Sequence, residues 1–388
     1  MYNFDQLESR KGTMSLKYDC NAKRGMPEDV DSFWVADMDF PAPKEVQEAL
    51  IDRCHHGIFG YTEPDDEYYQ ALDGWFFRKH QLHIEPETVV MTPGVVYAIN
   101  MAVRAYTEPG DGVMIQKPVY YPFFQTIKVT GRKVVNSPLV YEQGHYVMDV
   151  EDFERKIVEE KVKLFILCSP HNPVGRVWTK EELEKVADIC YQHNVIIVSD
   201  EIHCDFVFEG KKHIPLINIK EEYKDITITC TAPSKTFNLA GLNHSNNIIP
   251  NKELRKKFQQ EINQCGGSNY SLMGIIATKA AYTYGDQWLQ EVQDYLAFNV
   301  KFIKEYLGEH LPKVKVVEPE GTYLLWLDFT AYGLTGEELD KKIIYEAKLW
   351  LDGGTMFGAE GAGFQRINIA TSTSKIKGAL DAIIRVFA

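Results

Sequence analysis

Short apolar segments alternate with longer segments of helical spacing through most of this chain. Runs rich in aliphatic and β-branched residues occur at 88–91, 113–116, 162–168, 195–199, 226–230 and 247–249. Apolar residues recur with the period of an amphipathic helix at 44–56, 65–80, 95–106 and 180–193. Short, continuously apolar strands separated by helices are typical of a parallel sheet that is buried on both faces. The sequence therefore predicts an α/β fold with a mostly parallel sheet covered by helices.

The C-terminal part of the chain has a different pattern, which predicts a smaller α+β domain. A long helical segment at about 272–309 precedes strands at 314–317 and 323–328, a helix at 336–350, a strand at 364–370 and a helix at 374–387. We expect a large domain at 45–285 and a small domain at 286–388, with the boundary inside the long helix. Residues 1–44 are irregular, and we expect this N-terminal segment to pack with the small domain, although either part could accept it.

Composition and charge exclude several classes of function. The net charge of −13 argues against nucleic acid as the main partner, because phosphate binding requires clustered Lys and Arg. No apolar run approaches the ~20 residues of a membrane helix, and the N-terminus lacks the features of a secretory signal. The seven cysteines are scattered without a Cys-x-x-Cys pair, which is typical of thiols in a reducing compartment. We therefore expect a cytoplasmic protein that binds neither nucleic acid nor membrane.

Polar residues follow several predicted strands at the point where each strand ends. They are Gly94, which opens a helix, and Asn172, Asp200 and Lys235. Ligands of open α/β sheets bind at the carboxyl ends of the strands, so we expect these groups to converge. Pyridoxal 5'-phosphate (PLP) requires a Lys for a Schiff base, an acidic partner for its pyridine nitrogen and a phosphate cradle, which a helix N-terminus can provide. The sequence therefore predicts PLP as the cofactor.

Five sequence motifs carry a resemblance to a known family of enzymes. Ser-Pro-His-Asn-Pro-Val-Gly at 169–175, Asp-Glu-Ile-His at 200–203 and Ser-Lys-Thr-Phe-Asn-Leu-Ala-Gly-Leu at 234–242 resemble the core of fold-type I PLP enzymes of the class I/II aminotransferase superfamily. Trp-Val-Ala-Asp-Met-Asp-Phe at 34–40 and Phe-Gln-Arg-Ile-Asn-Ile-Ala at 364–370 resemble its cystathionine β-lyase-like branch, the MalY/PatB-type C–S lyases. The resemblance covers about residues 25–385 and implies the fold-type I architecture and a homodimer.

The resemblance also implies which residues contact the cofactor ring. Lys235 would be the Schiff-base lysine and the base that takes the Cα proton, and Asp200 would pair with the pyridine nitrogen. Asn172 would hydrogen-bond the 3-oxygen of the ring, and Tyr120 would stack on the ring face. Many members have Tyr three residues after the Asp, and this chain has His203 there, which we include among the cofactor contacts.

A phosphate site and a substrate contact are implied in the same way. The phosphate would be held by Gly94, Val95, Val96 and Ser234, with Thr231 as a weaker candidate. Tyr61 would reach the phosphate of the neighbouring subunit, and Arg366 would bind the substrate α-carboxylate through two parallel hydrogen bonds. Most members carry Arg eight residues after the lysine, whereas this chain has Asn243, which favours the lyase branch and leaves phosphate neutralisation open.

The expected function is that of a PLP-dependent C–S β-lyase, which cleaves a sulfur amino acid by α,β-elimination to pyruvate, ammonia and a thiol. An aminotransferase of amino acids is the alternative, because it uses the same scaffold and shares the steps up to the carbanion. A regulatory or binding protein built on this scaffold is a second alternative, against which the complete set of polar site residues argues. No metal site is expected, because His203, Cys204 and Asp205 are adjacent and would not converge as ligands.

Overall fold

The structure is a computed structural model that describes residues 2–267 and 270–388. Its helices are α1 (Lys44–His56), α2 (Asp66–His80), α3 (Val95–Tyr106), α4 (Pro122–Val129), α5 (Val150–Glu159), α6 (Lys180–Gln192), α7 (Pro233–Thr236), α8 (Lys252–Gln264), α9 (Leu272–Tyr284), α10 (Asp286–His310), α11 (Gly336–Lys341) and α12 (Thr373–Phe387). Its strands are β1 (Asp31–Ser32), β2 (Val89–Thr92), β3 (Gly112–Ile115), β4 (Lys133–Asn136), β5 (Leu139–Glu142), β6 (His145–Met148), β7 (Val162–Cys168), β8 (Ile196–Asp200), β9 (Thr227–Thr231), β10 (Ser245–Ile248), β11 (Lys315–Val316), β12 (Leu324–Asp328), β13 (Leu349–Trp350), β14 (Asp352–Gly353) and β15 (Phe364–Asn368). Within these two ranges, the structure contains no helix that is both long enough and apolar enough to cross a membrane.

The largest sheet has seven strands in the order β2-β10-β9-β8-β7-β3-β4. Strands β9, β8, β7, β3 and β4 pair in parallel, and β10 runs antiparallel to both of its neighbours. Side chains of β7 alternate between two apolar cores: Leu164 and Ile166 face α3, α4 and α8, whereas Phe165 and Leu167 face α5 and α6. Both faces of the sheet are therefore covered by helices, and the predicted α/β fold is confirmed.

A second, four-stranded antiparallel sheet has the order β11-β12-β15-β14. In its register, Arg366 of β15 lies opposite Trp326 of β12 and Asp352 of β14. Helices α10 and α12 pack against each other beside it, since Ile303 and Leu380 share an apolar core with Leu325. This sheet positions Arg366 and its acidic neighbour.

The N-terminal segment contacts both halves of the chain. Strand β1 pairs in parallel with β13 beside the smaller sheet. The following residues reach the Lys235 segment, because the Asn238 amide nitrogen donates to the carbonyls of Met38 and Phe40, both at 2.9 Å. The backbone N–H of Met38 donates in return to the side-chain oxygen of Asn238 at 2.9 Å. These contacts hold residues 34–40 against the carboxyl end of the large sheet.

Two predicted helices differ from the structure. The helix predicted at 272–309 is two helices that meet at Gly285, where a Cβ would lie 2.3 Å from the ring of Phe237. The helix predicted at 336–350 ends as α11 at Lys341, and a π-helical turn follows through Glu346. Lys348 then adopts φ +59°, and its carbonyl accepts from the N–H of Asp31 at 2.9 Å. Elements α4, α5, α8 and β4 to β6 have no counterpart in the sequence prediction.

Candidate active site

A cavity of about 380 Å³ lies at the carboxyl ends of β7, β8 and β9 and at the N-terminus of α3. This volume is sufficient for a small-molecule cofactor. The predicted site residues that line it are Gly94, Val95, Val96, Tyr120, Asn172, Asp200, His203, Ser234 and Lys235. The large sheet thus brings together side chains from five separate segments of the chain.

Lys235 lies on α7, the short helix that follows β9, and its amine points to the N-terminal segment. Its Nζ donates to the backbone carbonyl of Ala36 at 2.6 Å, and the hydroxyl of Tyr323 donates to the same oxygen at 3.0 Å. Burial lowers the pKa of the amine from 10.5 to about 8, although the carboxylate of Asp37 opposes this shift. Lys235 can therefore act as a proton acceptor close to neutral pH.

Asp200 is the last residue of β8 and is buried beneath the cavity. One of its oxygens accepts from the N–H of Ile202 at 3.2 Å. Burial raises the pKa of this carboxyl to about 7, and the nearby charge of Lys235 works in the opposite direction. A cationic group bound in the cavity would stabilise the carboxylate, as the protonated nitrogen of a pyridine ring would do.

The N-terminus of α3 lines one side of the cavity and has the features that suit an anion. The carbonyl of Gly94 accepts from the N–H of Ala98 at 3.0 Å, which is the first hydrogen bond of the helix. The backbone N–H groups before Ala98 therefore have no acceptor within the helix. These groups and the helix dipole favour a phosphate. A Cβ added to Gly94 would meet no protein atom of the described chain within 4 Å, which leaves this side of the cavity open.

Tyr120 and Asn172 are held together through their backbones, since the Tyr120 N–H donates to the Asn172 carbonyl at 3.1 Å. The side-chain oxygen of Asn172 accepts from Arg366 Nη1 at 2.9 Å, which leaves its amide N–H groups to face a ligand. His203 lines the cavity, and its Nδ1 has no hydrogen-bond partner in the described chain. Burial, assisted by the charges of Lys235 and Arg366, holds the pKa of His203 well below its usual value, so the imidazole is neutral.

Arg366 does not line the cavity itself but lies directly behind Asn172. Its Nη2 donates to the backbone carbonyl of Trp34 at 2.8 Å and forms a buried ion pair with Asp352. Its Nε has no partner in the described chain. The guanidinium is therefore held in a fixed orientation beside the cavity, and its Nε–H and the second N–H of Nη1 remain available for a ligand such as a carboxylate.

Two sequence candidates lie elsewhere. Thr231 is buried in β9, and its hydroxyl donates to the carbonyl of Asn246 at 3.0 Å, so the structure does not support it as a phosphate ligand. Tyr61 is 97% exposed and lines a separate surface cleft with Phe59 and Tyr270. Within a single chain, Tyr61 therefore makes no contact with the cavity.

Several cavity residues were not among the predicted ligands, notably Ala36, Tyr97 and His244, while Asn243 was noted only as a departure from the family pattern. Burial lowers the pKa of His244 to about 4, and its Nε2 lies 2.7 Å from the hydroxyl of Tyr68. Neither Asn243 nor the neutral His244 brings a positive charge to the phosphate side. The α3 N-terminus is consequently the main electrostatic attraction for an anion in this part of the described chain.

His80, Cys204 and Asp205 bring potential metal ligands within 4.8 Å of one another below the cavity. Asp205 already accepts from Thr236 at 2.7 Å and Trp75 at 3.3 Å, and it lies 2.8 Å from His80 Nε2. Burial also raises the pKa of the Cys204 thiol well above its usual value, which disfavours the thiolate that a metal requires. The cluster is better described as a buried hydrogen-bond network that anchors Thr236, the residue after Lys235.

Comparison with known proteins places this arrangement in one family. Residues 32–383 match the family described as Aminotransferase class I and II, so the chain belongs to that family. It is 43% identical to cystathionine beta-lyase PatB of Bacillus subtilis over 98% of both chains. It is 33% identical to Protein MalY of Escherichia coli over 99% of this chain and 98% of that protein.

Among solved structures, cystalysin from Treponema denticola, which contains a pyridoxal 5'-phosphate cofactor, superposes with a TM-score of 0.96 and 37% identity. The match covers 100% of this chain and 98% of cystalysin. The resemblance to the C–S lyase branch that the motifs at 34–40 and 364–370 indicated is therefore confirmed.

Proposed function

We propose that this chain is a PLP-dependent C–S β-lyase that cleaves a sulfur amino acid by α,β-elimination to pyruvate, ammonia and a thiol. The observation that carries the proposal is the pairing of Lys235 and Asp200 in one cavity at the N-terminus of α3. The relatives named cystathionine beta-lyase support the lyase reaction and a small amino acid as substrate.

The residues present fit the cofactor. Unpartnered N–H groups of α3 and the hydroxyl of Ser234 would hold the phosphate, Asp200 would face the pyridine nitrogen, and Tyr120 would cover the ring. The orphaned Nδ1 of His203 and the free amide of Asn172 supply polar contacts at the ring edge. When bound, PLP supplies an electron sink for negative charge at the substrate Cα.

Arg366 would bind the substrate, and Lys235 would remove its Cα proton. Arg366 binds the α-carboxylate, which fixes the substrate with its Cα–H toward Lys235. The neutral amine of Lys235 removes that proton, and its bond to the Ala36 carbonyl stabilises the resulting ammonium. The Cβ–S bond breaks with its electron pair on sulfur, which takes up a proton and leaves as a thiol. Hydrolysis of the remaining three-carbon fragment by one water yields pyruvate and ammonia.

Amino-group transfer is the second candidate function, and the family name gives it direct support. It would require the same binding residues and the same proton removal by Lys235, but the substrate would leave as its own keto acid with the bond to sulfur intact, and an added keto acid would accept the amino group. The relatives at 43% and 33% identity favour elimination as the main reaction.

Product analysis distinguishes the two reactions. The PLP-loaded protein is incubated with cystathionine in the absence of any keto acid, and pyruvate and free thiol are measured together. We expect equal and continuous release of both, and Lys235→Ala should abolish it, whereas the exposed Lys163→Ala should not. Product formation that requires an added keto acid would instead identify an aminotransferase.

The assembly, the domains and the location belong to the same proposal. We propose a homodimer in which Tyr61, almost fully exposed in the single chain, reaches the phosphate of the partner's site. We propose a large domain at 45–285 and a small one at 286–388, in line with the seven-stranded sheet at 89–248 and the four-stranded sheet at 315–368. The seven free cysteines agree with a reducing cytoplasm.

A further inference from the structure

Arg24 lies over a stacked pair of aromatic rings next to Arg366, the arginine predicted to bind the substrate α-carboxylate. We call the stacked rings of Trp34 and Trp350, whose centroids lie 4.4 Å apart, the aromatic ledge. The guanidinium carbon of Arg24 lies 5.0 Å from the centre of the Trp34 ring. The backbone carbonyl of the same Trp34 accepts from Arg366 at 2.8 Å, so one residue connects the two guanidinium groups.

Arg24 differs from the other arginines near the site because its charge is unpaired. The side chain is exposed, and in the described ranges it takes part in no ion pair or hydrogen bond. Arg10 and Arg366, in contrast, each bind carboxylates. An unpaired guanidinium that is held over an aromatic ring has its donors available and loses little freedom when it binds a carboxylate.

Tyr121 lies beside the cavity and within the electrostatic range of Arg24. Its ring lies 5.4 Å from the ring of Tyr120, which lines the cavity. Burial raises the pKa of Tyr121, and the positive charges of Arg366 and Arg24 both oppose that shift. The charges of Arg366 and Arg24 therefore act on the same tyrosine, which packs against the cavity wall.

We propose that Arg24 is a specificity-determining residue that binds a second carboxylate, carried by the substrate on the far side of its sulfur. The proposal rests on the proposed lyase function and defines its substrate class as S-conjugates of cysteine whose leaving thiol bears a carboxylate, of which cystathionine is one. The α-carboxylate lies on Arg366 and the distal carboxylate on Arg24. The thioether between them passes the half-buried ring of Tyr121, and sulfur contacts aromatic rings favourably.

Two substrates and three variants test this assignment. Cystathionine carries the distal carboxylate, and S-ethyl-L-cysteine lacks it. In Arg24→Gln we expect KM for cystathionine to rise about tenfold, as for one lost charge-assisted contact, while kcat changes less than about twofold. Both constants for S-ethyl-L-cysteine should stay unchanged. Arg24→Lys, which keeps the charge, should recover part of the loss, and Lys23→Gln removes a neighbouring exposed charge as the matched control.

Three results would overturn the assignment. Equal losses on both substrates in Arg24→Gln would mean that Arg24 only supports the aromatic ledge. Unchanged constants on both would mean that it does not contact the substrate. An equal rise in KM for cystathionine in Lys23→Gln would mean that the effect comes from the local surface charge and not from a contact made by Arg24. Failure of the wild-type protein to cleave either substrate would refute the proposed lyase function itself, so the two failures can be distinguished. An unchanged thermal midpoint shows that each variant is folded.

Discussion

Replacing Asp37 with Asn should lower the pKa of the Lys235 amine below its value in the unmodified protein. Burial lowers this pKa from 10.5 to about 8, and among the charges that act on the amine Asp37 is the first that raises it. Its negative charge favours the ammonium form, so removal of that charge leaves burial and the repulsion from Arg366 less opposed. The Asp37 side chain also accepts from Arg10, which keeps its contact with Asp39 at 3.0 Å in the variant.

The size of the effect follows from the fraction of neutral amine. At pH 7 a lysine with a pKa of about 8 is neutral in roughly one molecule in ten, whereas one with a pKa of 10.5 is neutral in roughly one in 3,000. Lys235 should therefore present about 300 times more neutral amine than an ordinary lysine at this pH. A further fall in Asp37→Asn brings the variant closer to complete deprotonation at neutral pH.

Trace acetylation measures this titration without the cofactor. The apoprotein is labelled with a limiting amount of acetic anhydride at a series of pH values from about 6 to about 11. Nα-acetyl-lysine methyl ester, whose side-chain amine is free, is added as the internal standard. The label on Lys235 is quantified by peptide mass spectrometry. We expect a midpoint near 8 for the unmodified chain and a lower midpoint for Asp37→Asn. The exposed Glu181→Gln, which removes an equal charge from α6, should leave the midpoint unchanged. A midpoint near 10.5 in the unmodified chain, or a rise in Asp37→Asn, would refute the reasoning.

Two further predictions concern stability and assembly. Asp205→Ala should lower the free energy of unfolding by about 3–5 kcal/mol in urea titrations, because it leaves the buried His80 and the hydroxyl of Thr236 without their shared acceptor; a loss below about 1 kcal/mol would contradict the role of this network. Sedimentation should give a species of two chains, and Tyr61→Phe should weaken PLP binding in equilibrium dialysis without changing that mass. A single chain at every concentration would contradict the proposed homodimer.

Local sequence patterns were sufficient to predict the large sheet and its ligand-binding edge. Strand β7 was predicted with its observed bounds, because a strand buried on both faces needs an unbroken apolar run. The groups at the strand ends converge because parallel strands end at one edge. Elements whose bounds depend on distant partners were predicted less well. The break at Gly285 depends on the ring of Phe237, and β13 depends on its pairing with β1, neither of which alters local periodicity.

The sequence likewise predicted some features of the candidate site and not others. Residues within recognisable motifs, such as Lys235 and Asp200, line the cavity as expected. The carbonyl of Ala36 was not predicted as a partner of Lys235, because a backbone acceptor has no signature in the side-chain sequence. The sequence could not show that Thr231 is unsuited to bind the phosphate. Its hydroxyl donates to the Asn246 carbonyl, and this hydrogen bond depends on the pairing of β9 with β10.

The structure also explains why the motifs of the C–S lyase branch belong together with the lysine motif. The segment at 34–40 is fixed on one side by Asn238, three residues after Lys235, which contacts the backbone of Met38 and Phe40. On the other side it is fixed by Asn368, two residues after Arg366, whose amide donates to the carbonyls at 35 and 37, both at 2.6 Å. The Ala36 carbonyl, which accepts from the Lys235 amine, lies between the two carbonyls that Asn368 binds and close to those that Asn238 binds. Motifs that are some 200 and 330 residues apart in the chain thus form one hydrogen-bonded unit, and a change in the N-terminal segment should affect the proton-accepting lysine and the carboxylate-binding arginine together.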